Sequence, residues 1–459
     1  MRVVELLERL RGYGDAPAID DDGRVTTYSA LLAEVGRQRE RLAAAGVSPA
    51  DRIGLAADHG TVPVALLLAA WSAGIVVALL PRGGDAAPRL ADALATVHLV
   101  VDDDGTWRAR RPDPAPAGHP LLARLQADGD AGLVLFTSGS SGTPKAALQG
   151  VSRFLAKFAR PGRRLRTLAF LLFDHVAGLD TTFYTLAAGG TLVLVRRRDP
   201  ASVLATIASR GVEVLPASPT FLRLLCLTDA AGHVPVPTLR IVTYGSEPMD
   251  AATLARLVAR FPGVRLGQKY GTTETGAPRT VSRADDRLWV RFAETSEFEW
   301  RVRDGVLWIR SPRTILGYLN AATPVDAEGW YRTGDLVDVD GEWLRFRGRE
   351  TEAISVGGEK VAPADVERAI LELAFVRDVL VRGERHALLG AVVVATVELA
   401  ATLPASAPGA GPPAEADAIR AIRRHCLARL ARHEVPVRID VGVVAAGTRQ
   451  KKTRALADG

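Results

Sequence analysis

Short apolar runs alternate with amphipathic stretches along most of this chain. Residues 25–28 read as a strand, and residues 29–45 as a helix with leucines and arginines at helical spacing. Residues 52–57 predict a strand, 64–72 a helix and 75–80 a strand. The apolar run 64–80 has nearly the length of a membrane span, but Gly74 divides it into two buried elements. Residues 109–120, ARRPDPAPAGHP, form a proline-rich connector leading to LVLFT at 133–137, a run suited to a buried strand. Beyond 145 the pattern predicts strands at 167–172, 191–195, 212–216, 239–244 and 264–269. Helices are expected at 181–188, 217–225 and 254–261, with a polar loop over 174–180. From 288 to 347 the pattern is strand-like, with Trp289, Trp300, Trp308 and Trp343 on short apolar runs. After Gly348-Arg349 a smaller unit is expected: strands at 353–356, 376–381 and 391–397, helices at 364–373 and 415–432, and a flexible loop at 401–413. The rhythm indicates an α/β protein with domains 1–348 and 349–459 and no internal repeat.

Composition narrows the function classes. The chain has 459 residues, 47% hydrophobic and 24% charged, as in ordinary soluble globular proteins. Its net charge of +6 (58 basic against 52 acidic residues) comes with no basic stripe interleaved with aromatics, so nucleic acid is not an expected partner. The two cysteines, Cys226 and Cys426, lack ligand-type spacing and read as reduced core thiols. The N-terminal stretch MRVVELLERLRGYG is amphipathic and charged, unlike a signal peptide, and a cytoplasmic location without a membrane span is expected.

The candidate chemistry starts at Thr137-Ser138-Gly139-Ser140-Ser141-Gly142-Thr143-Pro144-Lys145. Small hydroxyls and glycines let a backbone approach a phosphate chain closely, and Lys145 adds a mobile cation. The stretch is not a Walker A loop, because Pro144 stands where the second glycine belongs and Ala146 replaces the magnesium-binding hydroxyl. Three further stations follow. Tyr270-Gly271-Thr272-Thr273-Glu274 offers an aromatic face, hydroxyls and an oxygen ligand suited to magnesium. Tyr331-Arg332-Thr333-Gly334-Asp335 places a carboxylate after a glycine, able to accept two ribose hydroxyls. Lys451 near the C-terminus is a second cation for a reacting centre.

Together these segments resemble the adenylate-forming superfamily of acyl- and aryl-CoA synthetases, peptide-synthetase adenylation domains and luciferases. TSGSSGTPK, GSEPMD at 245–250, YGTTETG, GWYRTGDL and GRETEAISVGGEKVAPADVE occur in the family's order, and the resemblance runs from Thr27-Tyr28 to Arg454. It implies a large N-terminal domain of α/β sheets sandwiched with helices, a β-rich subdomain, and a small mobile α+β C-terminal domain. It also implies a two-step reaction: ATP and a carboxylic acid give an acyl-adenylate and pyrophosphate, and a thiol of CoA or a phosphopantetheinyl carrier protein then displaces AMP.

By position, the resemblance gives Thr137 to Thr143 and Lys145 the β- and γ-phosphates. Glu274 takes Mg2+, and Thr273 lies near the α-phosphate. Tyr270, with Gly271 and Thr272, stacks on adenine beside Gly245, Ser246 and Glu247. Asp335 takes the ribose, Arg349 assists from the hinge edge, and Lys451 acts in adenylation. Gly357-Gly358 lines a pantetheine passage after the small domain rotates. The acid pocket falls to Phe173, Asp174, His175, Gly178, Ser218, Tyr244 and Lys269. In this reading His175 gates the pocket, as in acyl- and aryl-CoA ligases, whereas Asp174 would suit an amine-bearing substrate. Lys269, unusual before Tyr270, is an anion contact or a surface lysine. Departures from the family are Gln450 in place of a glycine before Lys451, the adjoining Lys452, Thr351 at the hinge, and a short chain. Two alternatives stand beside the thiol ligase. One is adenylation of a small or inorganic acid such as nitrite with an amine acceptor; the other is a silent nucleotide-binding protein.

Overall fold

The computed structural model describes residues 1–112, 118–137, 144–228, 234–284, 286–293, 297–400 and 413–444. Two seven-stranded sheets, one six-stranded sheet and one five-stranded sheet carry the architecture. The first runs Arg265–Gln268, Ile241–Tyr244, Val214–Ala217, Arg166–Ala169, Thr191–Leu194, Pro17–Asp21 and Arg24–Thr27. The second runs Gly317–Tyr318, Lys145–Gly150, Gly132–Thr137, Val76–Leu80, Arg52–Ala56, Val97–Val101 and Trp107–Arg110. Most pairs within these two sheets are parallel, which matches their near-continuous apolar strands.

The largest core lies among the helices that face both of these sheets. It joins Leu6 and Leu10 of Val3–Arg11, Leu31 and Val35 of Tyr28–Ala44, and Leu179 and Phe183 of Val176–Ala187. At its centre is the helix Thr61–Ser72, whose residues 63 to 71 are all buried. A helix that is apolar on every side has no solvent face to show, and here neighbouring elements cover it all round. That burial explains the membrane-like look of 64–80: Gly74 turns the chain at φ 75° before strand Val76–Leu80. Among the described residues no helix is long and apolar enough to cross a membrane.

The six-stranded sheet (Thr280–Ser282, Val290–Phe292, Trp343–Arg349, Tyr331–Asp340, Val306–Arg310, Glu299–Arg303) is antiparallel. It packs on a cluster of Phe292, Phe298, Leu307, Ile309 and Val337 that also includes Tyr270. The five-stranded sheet combines Glu359–Val361, Ile354–Val356, Gly390–Leu399, Val376–His386 and Arg438–Val441. With helices Pro363–Leu371 and Glu415–Arg429 it encloses a core of its own, including Val366, Ile370, Val393 and Cys426. This is the smaller C-terminal domain. Arg223 of helix Pro219–Thr228, itself buried, reaches across to it, with Nη2 2.8 Å from Asp378 Oδ1.

Three local expectations change. The helix expected at 181–188 begins at Val176, so the polar loop before it is shorter; His175 caps it, with Nδ1 accepting from Ala177 N at 3.3 Å. The proline-rich connector gives way to a helix, Pro120–Ala127, which starts with proline at its first position, where no N–H is needed. Beyond the phosphate-loop segment the chain returns antiparallel as strand Lys145–Gly150 and continues into helix Val151–Ala156, two elements the apolar pattern did not reveal.

Candidate active site

The antiparallel hairpin sets the first station. Thr137 and Lys145 are register partners at its turn end. Ser138, Gly139, Ser140, Ser141, Gly142 and Thr143 lie outside the described residues. So do Lys451, Lys452 and Arg454.

Strand Gly317–Tyr318 adds to the hairpin's edge, with Tyr318 opposite Ala147, and this places a tyrosine in the middle of the stations. Its hydroxyl donates to Glu274 Oε1 at 2.7 Å and lies 3.5 Å from the Tyr331 hydroxyl. The Thr137 hydroxyl is within hydrogen-bonding reach of it, and Lys145 Nζ stands 5.4 Å from the centre of its ring. Burial, then the Glu274 carboxylate, raise the Tyr318 hydroxyl above its ordinary range, so it stays protonated as a donor. One side chain thus connects the phosphate-loop hairpin to the carboxylate of the second station and to the start of the third.

The third station is equally tied. Asp335 faces Arg349 across the strand pair, with Oδ1 2.8 Å from Arg349 Nε, and its Oδ2 accepts from Tyr270 OH at 2.7 Å. Arg349 Nη1 also donates to Thr333 O at 2.9 Å. Burial holds the Asp335 carboxyl above its usual value despite Arg349, so further hydroxyl donors would be well received there. Tyr270 is itself buried and stacks nearly parallel on Phe346, with centroids 4.4 Å apart and 11° between planes. One ring face is therefore already covered. Next to it, Thr272 closes the turn of this segment: its Oγ1 lies 3.0 Å from Thr275 Oγ1, and its backbone bridges to Gly276.

The turn at 245–247 lies against the same segment. A Cβ on Gly245 would come within 2.4 Å of Lys269 O, so only glycine permits this approach. Ser246 holds a left-handed backbone at φ 73°, uncommon for a residue with a side chain and often found where a ligand is received. Glu247 Oε2 accepts from Thr220 N at 3.3 Å and Thr220 Oγ1 at 2.6 Å, anchoring the turn to helix Pro219–Thr228.

The expected acid-pocket residues divide. Ser218, buried, caps that same helix by accepting from Phe221 N at 3.2 Å. Gly178 packs against backbone, since a Cβ there would meet Leu172 O at 1.9 Å. Phe173 and Tyr244 are core residues, the latter donating to Arg287 O at 3.2 Å. Asp174 is buried beside Phe173, and Lys269 is solvent-accessible. His175 serves as the helix cap already described, a structural reason for its place that the motif alone did not supply.

The sequence matches the family described as AMP-binding enzyme over residues 6–97 and 84–319. The chain belongs to that family. Among its relatives, a 3-[(3aS,4S,7aS)-7a-methyl-1,5-dioxo-octahydro-1H-inden-4-yl]propanoyl:CoA ligase of Mycobacterium tuberculosis is 29% identical, the match spanning 85% of this chain and 87% of that protein. The medium/long-chain-fatty-acid–[acyl-carrier-protein] ligase FadD10 of the same species is 26% identical over 81% of this chain and 80% of its own length. In structure, the anthranilate CoA ligase AuaEII in complex with anthranoyl-AMP aligns with a TM-score of 0.80 at 20% identity. That alignment covers 98% of this chain and 95% of the other, and establishes the shared fold.

Within this AMP-binding fold the structure joins Thr137, Lys145 and Glu274 through contacts to Tyr318, and Tyr270, Asp335 and Arg349 through contacts to one another. Tyr318 was missed as a site residue, whereas Tyr331 opens the third station. The only available signal was the short GYLN segment between the second and third stations, too brief to stand out by periodicity.

A second missed residue is His59, buried behind Phe173 with ring centroids 5.1 Å apart and Nε2 3.2 Å from Thr182 Oγ1. Burial, reinforced by Arg198, depresses its pKa from 6.5 to about 3. The folded protein refuses a proton that the unfolded chain accepts below pH 6.5. Stability from this site is therefore complete above pH 6.5 and falls as pH drops toward 3. Between pH 6.5 and 5 the loss should be about 2 kcal/mol relative to His59→Gln, read from urea unfolding midpoints of the two proteins.

Proposed function

We propose that this chain is an ATP-dependent, AMP-forming acid–thiol ligase. The observation that carries the reading is the continuous contact network from Lys145 through Tyr318 to Glu274, beside the Tyr270–Asp335–Arg349 set. A cation, a buried carboxylate and a ribose-type carboxylate acceptor stand side by side, the groups that ATP requires along its length.

In the first step a carboxylate oxygen of the acid bonds to the α-phosphorus while the bond from that phosphorus to the bridging oxygen breaks, releasing pyrophosphate. Positioning and charge stabilisation supply most of the catalysis in such transfers. Thr137, the segment 138–143 and Lys145 hold the departing phosphates. Asp335 accepts the ribose hydroxyls, Arg349 fixes that carboxylate, and the adenine lies beside Gly245, Ser246 and Glu247. Thr273 faces the α-phosphate, and Lys451 brings a second cation to it. The buried carboxylate of Glu274 fits Mg2+. Among the described residues no group of three or more acidic, histidine or cysteine side chains could hold a metal, as befits an ion that completes its shell with phosphate and water. When bound, that ion offsets phosphate charge.

In the second step a thiolate attacks the acyl carbon and AMP leaves. The small domain, with its hinge at Gly348-Arg349, turns between steps and presents Gly357-Gly358, the turn of hairpin Ile354–Val356 and Glu359–Val361, to a phosphopantetheine arm of CoA or a carrier protein. That Cys226 and Cys426 form no disulfide suits a cytoplasmic enzyme. Pyrophosphate release measured across a panel of carboxylic acids, with and without CoA, tests the proposal. Release with at least one acid and CoA-dependent thioester formation are expected; no release with any acid would refute it.

A further inference from the structure

We infer that the segment from Ile315 to Asn320 is a strap that positions two parts of the triphosphate site, through two residues acting separately. Tyr318 aims the Glu274 carboxylate at the divalent cation, and Asn320 fixes the backbone on both sides of Lys145. The inference rests on the ligase reading for what the site binds, and on the following contacts for how the site is held.

Strand Gly317–Tyr318 extends the edge of the second sheet, with Gly317 opposite Leu148 and Tyr318 opposite Ala147. Its flanks continue the attachment: Leu316 N donates to Leu148 O at 2.8 Å, and Leu319 N to Ala146 O at 2.9 Å. Asn320 then brackets Lys145. Its Nδ2 donates to Pro144 O at 2.9 Å, and its Oδ1 accepts from Ala146 N at 2.9 Å. One amide carries a donor and an acceptor side by side, so a single side chain holds the residue before the lysine and the residue after it.

The same segment reaches Glu274 twice. Ile315 N donates to Glu274 O at 2.8 Å and fixes the backbone, while Tyr318 OH donates to Oε1 at 2.7 Å and fixes the carboxylate. Both side chains are buried. Among the described residues Oε2 accepts no hydrogen bond, so one oxygen is held and the other is left for a ligand. A hydrogen bond to a metal-binding group orients it, and removing one typically costs about 10-fold to 100-fold in metal affinity. Lys145 Nζ lies 5.4 Å from the centre of the Tyr318 ring, an attraction to the aromatic face that phenylalanine would keep. Tyr318→Phe therefore isolates the hydroxyl, and Asn320→Leu isolates the amide at similar size.

Calorimetry without any acid present measures ATP and AMP binding to the full chain and to both variants, in EDTA and across a Mg2+ titration. Each variant is first verified as folded by circular dichroism; Asn320→Asp, which keeps the acceptor and loses the donor, stands in if the leucine variant does not fold. For Tyr318→Phe the Mg2+ concentration giving half of its effect on ATP affinity should rise about 10-fold, with affinity in EDTA within about 2-fold of the unmodified protein. Asn320→Leu should weaken ATP about 5-fold to 10-fold equally in both media and leave AMP, which has no β- or γ-phosphate, unchanged. An unaltered Mg2+ dependence in Tyr318→Phe, or an equal loss with and without Mg2+, would overturn the role of the hydroxyl. A loss of AMP binding in Asn320→Leu as large as that of ATP would overturn the role of the amide. ATP–pyrophosphate exchange across a panel of acids separates the inference from the ligase reading. The expected binding pattern without exchange would keep the strap and remove the ligase. Exchange with both variants binding ATP like the unmodified protein would keep the ligase and remove the strap.

Discussion

Replacing Asp335 with alanine should destabilise the protein by about 2–4 kcal/mol and weaken ATP binding about 100-fold. The stability loss has two sources. The Tyr270 hydroxyl is buried and would lose its acceptor, at a cost of about 1–3 kcal/mol. Arg349 would lose its ion partner, but its side chain is 47% exposed and solvent replaces much of that interaction, so this adds about 1 kcal/mol or less. The binding loss arises because two ribose hydroxyls forfeit a desolvated, negatively charged acceptor. Urea unfolding and the ATP dependence of pyrophosphate exchange measure the two effects separately. Loss of stability with unchanged ATP affinity would leave Asp335 as a purely structural brace for Tyr270 and Arg349.

Lys451→Ala should slow adenylate formation by about three orders of magnitude, with thioester formation from synthetic acyl-adenylate nearly intact. A cation at the α-phosphate stabilises charge that develops only while the acid attacks and pyrophosphate departs. In the second step AMP leaves already formed, and that stabilisation matters far less. Single-turnover measurements of each half-reaction, begun from ATP plus acid or from adenylate plus thiol, distinguish the outcomes. Equal losses in both would refute the assignment of this lysine to the first step. The adjoining Lys452 provides a control: Lys452→Ala should affect both steps much less.

Parts of the fold were legible because the signals are local. The 2.0-residue and 3.6-residue periods of buried faces identified most strands and helices of the two large sheets, and Gly74 marked the break in the long apolar run. The hairpin return at Lys145–Gly150 was illegible since only five residues, AALQG, follow the lysine in the strand, and their burial comes from partners distant in sequence. The early start of the Val176–Ala187 helix depended on a histidine cap, outside the usual set of Ser, Thr, Asp and Asn. His175 and Gly178 looked like pocket chemistry in the motif, whereas their contacts are also those of a capped helix packed on the Leu172 carbonyl.

The sequence by itself determined the α/β class, the two-part organisation and the family, because these are carried by periodicity and by short contiguous motifs. Tertiary structure alone decided how the stations connect. Pro17–Thr27 joins a sheet otherwise built from residues 166–268, and Tyr318 joins Thr137, Lys145 and Glu274, since strand pairing ignores sequence distance. A lysine before Tyr270 is ambiguous as text, and only folding sets its backbone against the Gly245 turn while leaving the residue exposed.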